Sequence, residues 1–362
     1  MKYLFCLFVL IGFYNCSSSD DATDDSPEDQ TPVNEIYFPP LITSTDNPWE
    51  TVSPSELEWN ENEIQPLLDF LEEKNTKSFI ILHNGKIALE AYMNEHSSTT
   101  NWYWASAGKT LTATVSGIAQ EEGLLNINAK VSDYLGTGWT SASLEKENLI
   151  TCKHLLSMSS GLDDTTGDDV SPENLQYIAD AGTRWAYHNV YVKMQDVVAE
   201  VSGQTWNTYF NDKLKNRIGM NGFWTNLNSL SVYWSDTRSM ARFGLMIYAN
   251  GKWEDQQIVS ENYITESTNT SQDINKAYGY LWWLNGKTSF HLPQSQLEFS
   301  GELVPNAPSD MFAGLGLNDQ KVYVVPSKKL VVIRMGNEAD EVNFALSSFD
   351  NDLWEKINAV IN

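Results

Sequence analysis

The alternation of apolar and polar residues predicts a β-hairpin early in the chain. Residues 79–90 contain two apolar runs on either side of Asn84-Gly85. An Asn-Gly pair between apolar runs is a strong hairpin signal, because both residues tolerate the positive φ angles of a two-residue turn. We therefore expect two antiparallel strands joined at Asn84-Gly85.

The middle of the chain favours helices. Residues 110–270 are mostly helical or loop-like, and the clearest 3.6-residue periodicity lies at 190–201 and 239–249. The remaining elements are predicted strands at 280–284, 311–314, 321–325 and 330–335, and a final helix at 344–361. Because strands lie at both ends, the sequence predicts an α+β fold. An antiparallel sheet from the N- and C-terminal segments is flanked by helices, beside a central, mostly helical subdomain.

The start of the chain is typical of a secreted protein. Residues 3–14 are apolar, too few to cross a bilayer but suited to a secretory signal. Cys16, followed by serines and aspartates, resembles the lipidated cysteine of a bacterial lipoprotein; a plain signal peptide cut nearby is the alternative. We predict a signal peptide at 1–15, an acidic, disordered tether at 16–47 and one domain at 48–362. The expected location is the outer membrane or cell surface, or alternatively the periplasm.

Charge and cysteine content narrow the possible partners. The formal net charge is −25, from 23 basic and 48 acidic residues, which argues against nucleic acid or anionic lipid surfaces as partners. We expect membrane association only through a lipid anchor. Cys152 is the one cysteine of the predicted domain, and no Cys/His cluster indicates zinc. The acidic residues at 163–169 lack the spacing of a calcium loop. We predict no metal and no cofactor, and the sequence does not indicate an oligomeric state.

The strongest candidate chemistry lies at Ser106-Ala-Gly-Lys109. On a helix, residues three apart share a face, so the Lys109 amine would approach the Ser106 hydroxyl. A serine needs a base to act as a nucleophile, and a lysine kept neutral by burial can be that base. The alternative is an ordinary serine at the start of a core helix. Ser143 and Lys146 repeat the spacing in a polar segment, which we interpret as surface.

A second candidate is Tyr187-His-Asn189, which precedes the helix predicted at 190–201. A tyrosine beside a lysine can pass a proton to a leaving group, and an asparagine amide can orient the lysine or a substrate carbonyl. Tyr209 and Tyr248 each precede an asparagine at the same spacing, but within or at the end of predicted helices, where a tyrosine is usually packed.

Taken together, these motifs resemble a known family. The chain is similar over residues 48–362 to the serine β-lactamase-related hydrolases: class C β-lactamases, D-alanyl-D-alanine carboxypeptidases, family VIII esterases and 6-aminohexanoate-dimer hydrolases. Besides Ser106–Lys109, the segments that carry this resemblance are LLSMSSGL at 155–162, GTRWAYHN at 182–189, ARFG at 241–244 and YGYLWW at 278–283.

The resemblance implies a β-lactamase/transpeptidase-like fold and roles for further residues. We place the third family motif at Phe312-Ala-Gly314, so the backbone N–H groups of Ser106 and Leu315 would form the oxyanion hole. The lysine or histidine that begins this motif in β-lactamases is replaced by Phe312, which either faces the pocket or is a core residue of the strand. Loss of that cation favours uncharged esters or amides over carboxylate-bearing β-lactams. The remaining candidate pocket residues are aromatic: Trp104, Trp185 and Trp282.

The predicted function is a serine hydrolase that acts on a small ester, amide or peptide through an acyl-enzyme. Ser106 is the predicted nucleophile, Lys109 and Tyr187 transfer protons, and Asn189 positions Lys109. The alternative is a non-catalytic surface protein of the same fold that binds cell-wall peptide or glycan.

Overall fold

A computed structural model describes residues 35–42, 48–227, 229–340 and 348–362. The predicted signal peptide and Cys16 lie outside the described residues. In the described part of the chain, no helix is both long and apolar enough to cross a membrane.

The strands and helices follow in chain order. The strands are Thr76–His83 (β1), Lys86–Tyr92 (β2), Trp102–Tyr103 (β3), Phe223–Leu227 (β4), Leu230–Ser235 (β5), Lys252–Trp253 (β6), Gln256–Gln257 (β7), Trp283–Leu284 (β8), Ser289–His291 (β9), Glu298–Ser300 (β10), Phe312–Gly316 (β11), Gln320–Val325 (β12) and Leu330–Gly336 (β13). The helices are Ile64–Glu73 (α1), Lys109–Glu121 (α2), Ser132–Leu135 (α3), Leu144–Glu147 (α4), Cys152–Leu156 (α5), Tyr191–Ser202 (α6), Trp206–Phe210 (α7), Thr237–Tyr248 (α8), Glu261–Ser267 (α9) and Ser348–Ile361 (α10).

The central sheet is built from strands of the N-terminal and C-terminal parts of the domain, which confirms the α+β prediction. Its strand order is β2-β1-β13-β12-β11-β8, and all neighbouring strands are antiparallel. The predicted hairpin is present: Asn84 and Gly85 both have positive φ, of 48° and 91°. Helix α8 lies directly on the sheet, because a Cβ at Gly244 would stand only 2.5 Å from the Val331 side chain.

Two strand predictions differ from the structure. Strands β4 and β5 lie in the part expected to be mostly helical or loop-like, and they form a small sheet with β3. Strand β5 combines a valine with aromatic residues that favour strands. The strand predicted at 280–284 is reduced to Trp283–Leu284. Leu281 has a φ of 60° and donates its N–H to the carbonyl of Leu156 instead of a strand partner.

The compact unit begins at Ile36, before the predicted boundary at residue 48. Residues 36–40 lie on the domain because they offer apolar and backbone groups: the Phe38 ring is 5.3 Å from that of Trp253. Arg242 donates a hydrogen bond to the carbonyl of Pro40 at 2.6 Å. This segment is therefore part of the fold and not of a tether.

Candidate active site

Ser106 is presented by a strained turn at the start of α2. A 3₁₀ turn spans Ala105–Gly108 and continues into the helix at Lys109. Ala105 has a φ of 46°, a left-handed conformation that costs an alanine about 1–2 kcal/mol. Leu111 and Val115 on α2 are fully buried, so helix packing holds this turn in place. The strain lies immediately before the candidate nucleophile, where such backbone is common.

Lys109 is close to Ser106 and is almost fully buried. Its Nζ atom lies 2.7 Å from Ser106 Oγ, and the residue is 3% exposed. The rings of Tyr187 and Tyr191 each have their centroid 4.9 Å from Nζ. Burial lowers the pKa of Lys109 to about 7, against an opposite effect from the Asp168 carboxylate. A large fraction of this amine is therefore neutral at physiological pH.

Tyr187 lines the same cleft as Ser106 and Lys109. Its hydroxyl is hydrogen bonded with Ser106 and with the indole of Trp283, but burial outweighs both and raises the pKa of Tyr187 to about 12. The ring packs against Trp283 and Tyr278, with centroid distances of 5.6 Å and 6.1 Å. Tyr187 is therefore a protonated phenol held by aromatic packing, suited to donating a proton.

Asn189 contacts a residue that sequence analysis did not assign to the site. Its Nδ2 group donates a hydrogen bond to Oδ1 of Asp168 at 2.9 Å. Asn189 was predicted to position Lys109, but its side-chain amide donates to a carboxylate instead. The chain offered a weak signal for Asp168, since it belongs to the acidic loop considered for calcium. No group of three possible metal ligands occurs within the described residues.

These side chains surround one cleft of about 240 Å³. Its lining consists of Ser106, Lys109, Gly167, Asp168, Tyr187, His188, Asn189, Pro293, Gln294 and Leu317. His188 was not predicted as a functional residue. Its Nε2 lies 3.2 Å from the carbonyl of Gly167, and burial lowers its pKa, which favours a neutral imidazole.

Strand β11, beside the Ser106 turn, is offset by two residues from the predicted position of the third motif. Gly314 and Gly316 on β11 both face the Ser106 turn: a Cβ at Gly316 would lie 2.5 Å from the Trp104 carbonyl, and one at Gly314 would lie 3.1 Å from Thr110. Leu315 is buried at 2% exposure, whereas Leu317 is 46% exposed and lines the cleft. The residue after the second glycine, and not after the first, therefore lines the cleft together with Ser106.

The predicted pocket aromatics lie in the core instead of the cleft. Trp104, Trp185 and Trp282 are fully buried, and Phe312 is 9% exposed. Internal partners explain this placement: the indole N–H of Trp104 bonds to Ser235 Oγ at 2.8 Å, and that of Trp185 to a carbonyl at 2.9 Å. Trp282 and Phe312 pack edge to face, with ring centroids 5.4 Å apart. Their burial stabilises the walls of the site.

The second serine-lysine pair has no comparable arrangement. Ser143 precedes the short helix α4, and Lys146 forms an ion pair with Asp180 at 2.7 Å. Lys146 is also partly exposed, with 30% of its side chain accessible. The interpretation of this pair as surface is confirmed.

The chain is similar to known proteins in sequence and in structure. The Beta-lactamase family model matches residues 71–350, and no curated relative matched the chain by sequence. A protein from Bacteroides dorei assigned as a beta-lactamase is 15% identical, with a TM-score of 0.67, over 84% of this chain and 99% of that one. A protein from Bacillus anthracis assigned as a 6-aminohexanoate-dimer hydrolase is 16% identical, with a TM-score of 0.66, over 90% and 89%. A family VIII carboxylesterase is 16% identical, with a TM-score of 0.62, over 82% and 96%. These matches confirm the predicted β-lactamase/transpeptidase-like fold.

Proposed function

The chain belongs to the beta-lactamase family, and on that premise we propose that it is a serine hydrolase that forms an acyl-enzyme on Ser106. One observation carries the proposal: Ser106 Oγ is 2.7 Å from the amine of a lysine that is 3% exposed. A buried lysine without a bonded carboxylate is a competent general base at neutral pH.

The proposed reaction uses each group at a defined atom. Ser106 Oγ attacks the carbonyl carbon of an ester or amide while its proton passes to Lys109 Nζ. Tyr187 donates its phenolic proton to the leaving oxygen or nitrogen as that bond breaks, and regains a proton from Lys109. Water then attacks the acyl-enzyme, releases the acid and restores the Ser106 hydroxyl.

We assign the oxyanion hole to the backbone N–H groups of Ser106 and Leu317, in place of the predicted Leu315. The Met311 carbonyl accepts a hydrogen bond from Asn285 on the β8 side. Alternate residues of a strand direct their backbone groups to the same side, so those of Leu315 and Leu317 also face that edge. Pairing with β8 ends at Ala313, which leaves room beside Leu317 for a substrate carbonyl.

Uncharged esters or amides are the proposed substrates. Among the lining residues the formal charges are those of Lys109 and Asp168, so a substrate carboxylate would meet no dedicated cation there. A missing charge-assisted hydrogen bond costs about 1.5–3 kcal/mol, or about one to two decades in binding. We therefore expect p-nitrophenyl butyrate to be hydrolysed more efficiently than nitrocefin. A clear preference for nitrocefin would contradict the assignment of substrate class.

Covalent labelling separates the hydrolase from a non-catalytic binding protein of the same fold. A fluorophosphonate probe should label the wild-type protein and the Ser143→Ala variant equally, and Ser106→Ala not at all. Ser143→Ala is the matched control because it removes the other serine that precedes a lysine by three residues. An unlabelled wild-type protein would favour the binding protein, with cell-wall peptide or glycan as its ligand.

We also propose that Cys16 carries a lipid that anchors the protein to a bacterial membrane. The proposal is supported by the apolar stretch before this cysteine and the polar, acidic residues after it. Full-length protein should partition with membranes and incorporate a labelled acyl chain, and Cys16→Ser should do neither. Acyl labelling that persists in Cys16→Ser would exclude this site.

A further inference from the structure

A second groove lies beside helix α6, apart from the cleft that contains Ser106. Tyr191, at the start of this helix, places its ring 4.9 Å from the Lys109 amine. Further along the helix, Gln195 and Asp196 line a groove of about 500 Å³, which shares no lining residue with the cleft. A volume of this size suits a small ligand. The groove is therefore a separate candidate binding site that the proposed reaction does not use.

Two half-buried tryptophans form aromatic walls of this groove. Trp206 on α7 and Trp224 on β4 line it, with ring centroids 5.5 Å apart and ring planes inclined at 69°. Phe210 packs against both indoles, at centroid distances of 5.9 Å and 5.5 Å, and so holds them in place. The electron-rich face of an indole attracts the slightly positive hydrogens of C–H groups. These walls therefore suit a ring that presents C–H groups on its face.

Polar side chains surround the aromatic walls and have hydrogen-bonding capacity to offer. Asn207 and Asn226 are exposed, and within the described residues their amides have no hydrogen-bond partner. Gln195 is 4% exposed and is held by a 3.0 Å hydrogen bond from its Nε2 to Thr112 Oγ1. Each amide both donates and accepts hydrogen bonds, as a hydroxyl group does. The groove therefore matches a ligand that has an apolar ring face and a rim of hydroxyl groups.

The charge of the groove favours an uncharged ligand. Among its lining residues the formal charge is that of Asp196, which lies 3.3 Å from the Lys193 amine. A charged ligand would lose hydration without gaining an unpaired counter-ion. Nucleotides, which also stack on aromatic rings, carry phosphates that the net charge of −25 repels.

We propose that this groove binds a neutral saccharide. A pyranose ring stacks on the indoles of Trp206 and Trp224, and its hydroxyl groups bond to the amides of Gln195, Asn207 and Asn226. The preferred rings carry equatorial hydroxyl groups, as β-glucosyl units do, because both ring faces then present C–H groups. This site goes beyond the proposed function and does not depend on acylation of Ser106.

Saturation-transfer NMR on the full-length protein tests the proposal with methyl β-D-glucopyranoside, cellotriose and cyclohexanol. Both sugars should bind, and Trp206→Ala should raise the Kd of cellotriose by about fivefold or more, through loss of one stacking surface. Asn226→Ala, at an exposed position, should raise it by about twofold to tenfold. The proposal is overturned if neither sugar binds at about 10 mM. It is also overturned if cyclohexanol binds as tightly as the glucoside and loses equally in Trp206→Ala, since that would mark an apolar site.

Trp234→Ala is the matched control for loss of an indole. Trp234 is also half-buried and lies on β5 of the same small sheet. Its neighbour Tyr233 is the residue that pairs with Trp224, so Trp234 lies on the opposite face of the sheet. This variant should keep the wild-type affinity for cellotriose. An equal loss in Trp234→Ala and Trp206→Ala would show an effect on the fold and overturn the assignment of the groove.

Fluorophosphonate labelling keeps this test separate from the proposed function. Trp206→Ala and Asn226→Ala should be labelled at Ser106 at the wild-type rate, and Ser106→Ala should bind cellotriose as the wild-type protein does. Sugar binding without labelling would support the groove and contradict the hydrolase, and labelling without sugar binding would do the reverse. Loss of cellotriose binding in Ser106→Ala would place the sugar in the cleft and overturn the groove as its site.

Discussion

Two buried lysines of this protein have opposite surroundings. Lys109 and Lys321 are 3% and 0% exposed. Lys109 lies beside a serine hydroxyl and two tyrosine rings, whereas Lys321 lies 2.8 Å from Asp350 and 3.1 Å from Asp319. Burial alone makes a lysine a weaker cation, while paired carboxylates compensate its charge. The difference supports the proposed role of Lys109 in chemistry, whereas the ion pairs of Lys321 serve the fold.

The carboxylate beside Lys321 shows the same contrast. Burial would raise the pKa of Asp319, but the charge of Lys321 and a backbone hydrogen bond from Ala339 lower it below its ordinary value. At Lys109 the nearest carboxylate effect comes from Asp168 and is too small to offset burial. The two lysines therefore differ in their neighbouring carboxylates and not in their depth of burial.

The largest expected effect is the loss of catalysis on changing Lys109. Lys109→Met removes the base, so kcat/KM for p-nitrophenyl butyrate should fall by about 10²–10⁴, the range for general-base removal. Circular dichroism should show an intact fold. Near-wild-type turnover would mean that Lys109 is structural and that another group takes the proton.

Lys321→Met should mainly affect folding. Removal of one partner leaves the Asp319 and Asp350 carboxylates buried without their cation, which costs about 3–5 kcal/mol of unfolding free energy. Urea denaturation measures this loss, and kcat/KM of the folded fraction should remain close to wild type. Unchanged stability with lost activity would reverse the roles assigned to the two lysines.

The pH dependence of the free energy of unfolding should differ between the wild-type protein and the Lys109→Met variant. Its folded-state pKa of about 7 is below the unfolded value of about 10.4. The unfolded state therefore binds more protons between these values, and stability rises with pH across that window. Lys109→Met should remove this rise, which amounts to about 4 kcal/mol between pH 6.5 and 10. Denaturation of both proteins from pH 6.5 to 10 measures the difference; parallel curves would show that Lys109 is not held neutral.

The smallest expected effect comes from Asn189→Ala. Because the Asn189 amide contacts Asp168 and not Lys109, kcat/KM for the uncharged butyrate ester should fall by less than about tenfold, or about 1.4 kcal/mol. A loss on butyrate as large as that of Lys109→Met would restore the predicted role of Asn189 in positioning Lys109.

The sequence predicts the parts of the molecule that follow local rules. The hairpin at Asn84-Gly85 depends on turn residues, and the approach of Lys109 to Ser106 depends on helical spacing. The position of β11 beside Ser106 does not follow from such local rules. Gly314 and Gly316 are two residues apart and face the same side of a strand, so only tertiary packing distinguishes them.

The misplaced aromatics have a similar physical explanation. An indole can line a pocket or fill the core, and the choice depends on whether its N–H finds an internal partner. Trp104 and Trp185 find theirs in Ser235 and in the carbonyl of Leu292, both distant in the chain. The contact between Asn189 and Asp168 likewise spans a loop that no periodicity describes.

In the proposed reaction, neutral Lys109 activates Ser106. The most direct test is the rate of Ser106 phosphonylation by a fluorophosphonate as a function of pH, followed by intact-protein mass spectrometry. The rate in the wild-type protein should rise with pH through a single apparent pKa near 7, and Lys109→Arg should be slower by at least about two decades. A wild-type profile without a transition near pH 7, or equal rates in Lys109→Arg, would contradict the claim.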